Sequence, residues 1–158
     1  MPKTYHADTL SICGYASLFN EQDISGDIVR KGAFAASLLQ LGGAPLPMLF
    51  GHETVMPIGV WDRITEDARG LYVQGRLFKP GKSRRYILRL VESGALSGLS
   101  IGYRALRSAR RPAGGRDLLE LDLWEVSIVA FPMLRGARLS LSQSHLSSPS
   151  YALQRTAS

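Results

Sequence analysis

The chain has 158 residues, 45% hydrophobic and 20% charged, which suits one soluble globular domain with a real core. No apolar run approaches the roughly 20 residues of a membrane span, and the opening "MPKTYHADT" lacks the apolar core of a secretory signal, so a cytoplasmic product is expected. The net charge of +6 is carried mostly by arginine, and the single cysteine, Cys13, leaves no internal disulfide to form.

Residues 10–19 make an apolar, β-prone run in which Cys13 reads as a small buried apolar residue. "NEQDISGD", 20–27, is full of turn residues and ends that strand. "KGAFAASLLQLGG" predicts a short helix, with Phe34, Leu38 and Leu41 at helical spacing and Gly42 and Gly43 as its stop. "PLPMLFGH" is a short extended segment ending at His52. "PIGVWDRITED" and "GLYVQGRLF" predict a hairpin turning at Glu66 to Gly70. "KSRRYILRLVESGA" is the clearest helix, with Ile87, Leu90 and Val91 on one face and Gly94 as terminator. "SGLSIGYRAL" and "RDLLELDLWEVSIVAF" predict strands on either side of a basic loop; the second is long enough to need a bend or a bulge. The last strand is expected to close at about Pro132, giving a domain over 1–139 and a flexible, serine-rich tail over 140–158. The expected class is α+β: mostly antiparallel strands in a curled sheet or β-barrel, with two helices outside it.

Several motifs fail on spacing. "GRLFKPGKS" places five residues between Gly75 and Gly81, where a phosphate-binding loop needs four. "HETVM" begins like a zinc-protease helix, but Met56 stands where the second histidine belongs. With three scattered histidines and one cysteine, neither a metal nor a cofactor is expected. The arginine-rich "RALRSARRPAGGR" could bind nucleic acid, yet no aromatic residue interleaves with it after Tyr103, and Pro112, Gly114 and Gly115 mark a hairpin loop. A solvated basic loop is the simpler reading, with docking onto an acidic partner a third.

Three residues remain. Ser100 lies just inside a strand in "ESGALSGLSIGY", and it is a nucleophile only if something removes its proton. His52, at a strand end, is either a surface residue or that base. In "LDLWEVSIVAF", strict alternation puts Leu121, Leu123, Glu125, Ser127 and Val129 on one face, with Asp122, Trp124, Val126 and Ile128 on the other. A carboxylate among apolar neighbours needs a partner, for Glu125 an arginine or a histidine. Serine, histidine and carboxylate on separate strands could form a hydrolytic triad, which geometry and not spacing decides.

The order of blocks resembles the prohead proteases of HK97-type tailed bacteriophages. "GYASLFNEQDISGDIVRKGAF", "PMLFGHETVMPIGVWDRITEDARGLYVQGRLF", "LVESGALSGLSIGYRA" and "LDLWEVSIVAFPMLRGARL" resemble that family's successive blocks over roughly 12–139. The resemblance implies a serine endopeptidase with a herpesvirus-protease-like fold. It makes Ser100 the nucleophile and His52 the general base. The second histidine of the herpesvirus enzymes has no counterpart, since His6 and His145 lie outside the matched blocks. Glu125 is the expected orienting residue, with Asp122 as runner-up and Ser97 as the alternative nucleophile. Gly98 and Gly102, flanking the serine, would let a substrate approach closely. The resemblance further implies a homo-oligomer that acts inside the assembling prohead, in the host cytoplasm, on the scaffolding segment of the major capsid protein and on itself. A phage or a gene transfer agent could encode it, and no membrane partner is expected. A catalytically silent capsid-assembly scaffold and a basic nucleic-acid-binding module are the rival readings.

Overall fold

The computed structural model describes residues 9–79 and 85–142. Its elements, in chain order, are β1 (Thr9–Leu18), β2 (Ile28–Val29), α1 (Ala35–Leu41), β3 (Leu46–Phe50), β4 (Gly59–Glu66), β5 (Gly70–Phe78), α2 (Arg85–Glu92), β6 (Gly98–Arg110), β7 (Arg116–Val129) and β8 (Leu139–Leu141). One sheet holds all eight strands, in the order β2-β7-β3-β4-β5-β1-β8, with β6 also on β7. Most neighbours are antiparallel, but β2 and β3 both run parallel to β7. The sheet curls until Arg138, just before β8, bridges Gly98 at the start of β6.

The centre of the sheet is filled by Trp61, Met48, Leu71, Val73, Leu99, Leu121, Val126 and Ile128, all fully buried. Trp61 hides a polar atom there, and its indole N–H donates to the Val126 carbonyl at 3.0 Å. Gly75 lies opposite Trp61, where a Cβ would sit 2.8 Å from the indole ring. That glycine makes room for the backbone of β4 and for the ring.

Helix α1 has no side-chain cap of its own. Glu66, at the end of β4, supplies one by accepting the N–H groups of Gly32 (2.6 Å) and Phe34 (3.0 Å). Gly42, at φ +63°, ends the helix with its N–H on the Leu38 and Leu39 carbonyls. In α2, Ile87 and Val91 are buried but Leu90 is 39% exposed, so the apolar face is narrower than its spacing predicts.

The β6–β7 hairpin contains the expected bulges. Gly102 faces Glu125 and Tyr103 faces Leu123, which leaves Trp124 as an extra residue; two more shifts follow further out. The bulge changes the phase of the strand. Leu121 and Leu123 join the core cluster before it, and Val126 and Ile128 after it. Glu125 and Ser127 therefore do not share a face with Leu121 and Leu123, as unbroken alternation requires.

The expected domain boundary moves. Leu139, Ser140 and Leu141 pair with Gly14, Cys13 and Ile12, so the sheet does not close at Pro132 and the folded part runs at least to Leu141. The rest of the expected tail, from residue 143 on, with His145, and also His6, lies outside the described residues. Cys13 is half-buried, not enclosed.

Candidate active site

β7 forms the spine of the site. On one side it pairs antiparallel with β6, setting Ser100 opposite Ser127 and Gly102 opposite Glu125. On the other it pairs in parallel with β3, setting Leu49 opposite Ser127 and Phe50 opposite Ile128. β3 then ends in a tight turn, Phe50 to Glu53, closed by the Glu53 N–H on the Phe50 carbonyl at 3.1 Å. Both central residues are left-handed, Gly51 at φ +57° and His52 at φ +63°. Few residues other than glycine adopt that region, and asparagine, aspartate and histidine are the ones enriched in it. The Gly51 N–H extends the ladder to the Ile128 carbonyl (3.0 Å), and the His52 N–H donates to Ser127 Oγ (3.0 Å).

This turn carries the His52 ring back over β7. Its Nδ1 makes a short contact with Glu125 Oε1, and its Nε2 lies 3.2 Å from Ser100 Oγ. A carboxylate only accepts hydrogen bonds, so the proton belongs on Nδ1, and the Nε2 lone pair faces the serine. The Ser127 hydroxyl donates to Glu125 Oε2 at 2.7 Å. Each carboxylate oxygen thus has one donor. The Glu125 side chain is 12% exposed, whereas the imidazole is 45% exposed. The arrangement can accept a proton from the serine and stabilise the resulting charge, at a place that solvent reaches.

Ser100, His52 and Glu125 are brought together; the other sequence candidates are not. Asp122 accepts from Trp124 Nε1 (2.9 Å) and Arg104 (3.4 Å) at the sheet surface. Ser97 Oγ accepts from Arg138. The two flanking glycines face protein. A Cβ on Gly102 would overlap the Glu125 carboxylate, and one on Gly98 would stand 2.6 Å from the Val129 carbonyl. Neither is kept open for substrate. Ser127 was legible as a neighbour of Glu125, but a serine two residues along a strand gives no sign that it will bond both to a carboxylate and to a distant backbone N–H.

A cavity of about 240 Å³ opens beside Ser100, bounded by the end of β1, the segment 21–29, β6 and residues 133–134. In it Asp27 accepts from the Arg116 backbone N–H and guanidinium, at 2.6 Å in the shortest contact. Those hydrogen bonds from Arg116 hold the Asp27 carboxyl below its ordinary range and push the guanidinium up. Burial, followed by the charges of Asp27 and Asp23, pushes the Tyr103 phenol up. Four of the five arginines between 104 and 116 face carboxylates: Arg104 on Asp122, Arg107 on Glu120, Arg111 on Asp117 and Arg116 on Asp27.

Known proteins give the family and the fold. The family model described as caudovirus prohead serine protease matches residues 2–150. The prohead protease of Enterobacteria phage HK97 is 35% identical over 135 residues, 83% of this chain and 59% of that protein. The prohead protease of Escherichia phage T5 is 28% identical over 137 residues, 85% of this chain and 64% of that protein. The chain thus spans about three fifths of the length of these relatives. Among solved structures, a KSHV protease in complex with a hexapeptide phosphonate inhibitor superposes with a TM-score of 0.57 at 17% identity, covering 84% of this chain and 64% of that one. The varicella-zoster virus protease does so at 0.55 and 16%, covering 84% and 63%. Those likenesses establish a herpesvirus-protease-like fold. By its matched length and its phage relatives, the chain belongs to the caudovirus prohead serine protease family.

Proposed function

We propose that this chain is a serine endopeptidase that cleaves the scaffolding segment of a major capsid protein, and itself, inside an assembling prohead. The observation that carries the reading is the relay Glu125–His52–Ser100, with the His52 Nε2 lone pair facing the Ser100 hydroxyl. In the reaction, Ser100 Oγ attacks a peptide carbonyl while His52 takes its proton. Glu125 holds the imidazole by Nδ1 and offsets its positive charge. The imidazolium then protonates the leaving amine, and water releases the acyl group by the same steps in reverse. Ser127 fixes the carboxylate from one side and the His52 backbone from the other. The basic loop is a poorer candidate for a nucleic-acid interface, because four of its five arginines already face carboxylates. A homo-oligomer packaged within the shell fits the same role.

The test is co-expression with the capsid protein of the same particle, followed by sequencing of the new termini. The wild-type chain should create a new amino terminus at the end of the scaffolding segment, and Ser100→Ala should create none. Processing at the normal rate by Ser100→Ala would reduce Ser100 to a strand residue and make the chain's role in cleavage, if any, depend on Ser97.

A further inference from the structure

The cavity beside Ser100 has more in it than the chemistry of bond cleavage requires. Its wall is apolar on the β1 and β6 sides, from Ala16, Leu99 and Ile101. Its charged lining consists of Glu21, Asp23, Asp27 and Arg116, three carboxylates and one guanidinium, a formal sum of two negative charges. Arg116 is already committed to Asp27 through its backbone N–H, Nε and Nη2. Asp23 uses Oδ1 to receive Ser25 and the Asp27 N–H. Glu21 is exposed, lines the cavity and bonds to none of the described residues; its Oε2 lies toward Gly136. At about 240 Å³ the space is below the roughly 300–1,000 Å³ of a drug-sized site and takes a single long side chain.

Resting on the protease reading above, we infer that this cavity is a specificity subsite for a lysine or arginine side chain of the substrate, held by Glu21. Three occupants compete. An apolar side chain would cover ionised carboxylates without replacing their water, which costs free energy. An acidic one would meet the excess negative charge, and the guanidinium that could offset it is occupied. A lysine or arginine lays its methylenes on the apolar wall and brings its cation to the carboxylates, satisfying both surfaces at once. The cavity adjoins the nucleophile, so the recognised residue lies next to or close to the cleaved bond.

Glu21 is the position to change, because Asp23 and Asp27 also hold their loop together. The full-length protein is given a mixture of decapeptides randomised at every position, and the products are sequenced by mass spectrometry. Wild type should show lysine and arginine enriched at one fixed position relative to the cut, by at least about tenfold over neutral residues. Glu21→Gln should lower that ratio, and Glu21→Lys should erase it or turn it toward acidic residues. Cuts without basic enrichment, or enrichment untouched by Glu21→Lys, would overturn the subsite while leaving the protease standing. Products that are equally abundant with Ser100→Ala would remove the protease reading, and the subsite with it.

Discussion

Gly102 and Glu125 face each other across the β6–β7 ladder, and the Glu125 side chain occupies the space that any residue but glycine would need at 102. A Cβ there would stand 2.8 Å from both Cγ and Cδ of the glutamate. Gly102→Ala should therefore push the carboxylate off His52 while leaving Ser100 and the core in place. Activity should fall on the order of 10²-fold, as expected for displacement of a positioning group by about 1 Å. Peptide cleavage measured beside thermal melting checks this; full activity in a folded Gly102→Ala protein would mean that the carboxylate has room to spare.

The left-handed turn permits a clean test of the base. Asparagine tolerates φ near +60° better than other non-glycine residues, so His52→Asn should keep the melting temperature nearly unchanged. Its cleavage rate should drop on the order of 10⁵–10⁶-fold. His52→Val should be equally inactive but also less stable by roughly 1–3 kcal/mol, because a β-branched residue is strained there. Equal melting of the two variants would show that the turn relaxes.

Glu125 receives two donors, the His52 Nδ1–H and the Ser127 hydroxyl. Glutamine has one oxygen for the two. If its NH₂ faces His52, the imidazole proton must move to Nε2, and the base can no longer accept from Ser100. Glu125→Gln should lose on the order of 10³–10⁴-fold in kcat without unfolding. Full activity would point to a Ser–His dyad.

Asp27 and Arg116 predict acid lability. The Asp27 side chain is 8% exposed, and its hydrogen bonds from Arg116 depress its pKa. The folded state therefore releases this proton more readily than the unfolded chain does. The resulting stabilisation is present above the unfolded value of about 3.9 and is lost as pH falls through the folded value. Asp27→Asn should be destabilised by roughly 1–3 kcal/mol at neutral pH. The gap in melting temperature from wild type should narrow as the pH is lowered below about 4. A gap constant from pH 7 to pH 3 would show that the ionised pair contributes nothing.

The end of the chain carries two predictions. A protein ending after Ser142 keeps the β1–β8 ladder and should stay folded, whereas one ending before Leu139 loses it and should melt earlier. Between 140 and 158 the sequence holds one lysine or arginine, Arg155. With a basic-residue subsite, self-cleavage of this segment should fall beside Arg155, and the Ser100→Ala protein should stay whole. Intact-mass measurement over time decides both; removal of the segment at a bond remote from Arg155 would contradict the pairing of subsite and site.

Much of the fold was legible because hydrophobic spacing and turn residues act locally. Gly42 ends α1, and the Glu66–Gly70 turn joins β4 to β5, as their residue types require. Pairing between distant strands left weaker marks. Nothing in "PLPMLFGH" says that β3 will lie parallel to β7, yet that pairing carries His52 to Glu125. Glu125 was singled out by an alternation that the Trp124 bulge interrupts: the residue is a buried carboxylate, but its face was misassigned. The cap that Glu66 gives to α1 and the two bonds of Ser127 are equally invisible, since each joins residues whose proximity only the folded sheet creates.

The three site residues are far apart in the chain, His52 lying 48 positions from Ser100 and 73 from Glu125. They meet only when β3 docks on β7, a non-local parallel pairing of the kind that forms slowly because a long loop must close first. The β6–β7 hairpin forms from neighbouring sequence and cannot cut alone, since it lacks the histidine. Under the proposed function, a chain whose β3 has not yet docked on β7 has no base beside Ser100 and should cut neither itself nor its neighbours, so the order of assembly would set when cleavage can begin. On refolding, recovery of activity should follow the slowest structural phase, after hairpin signals have reached their native values.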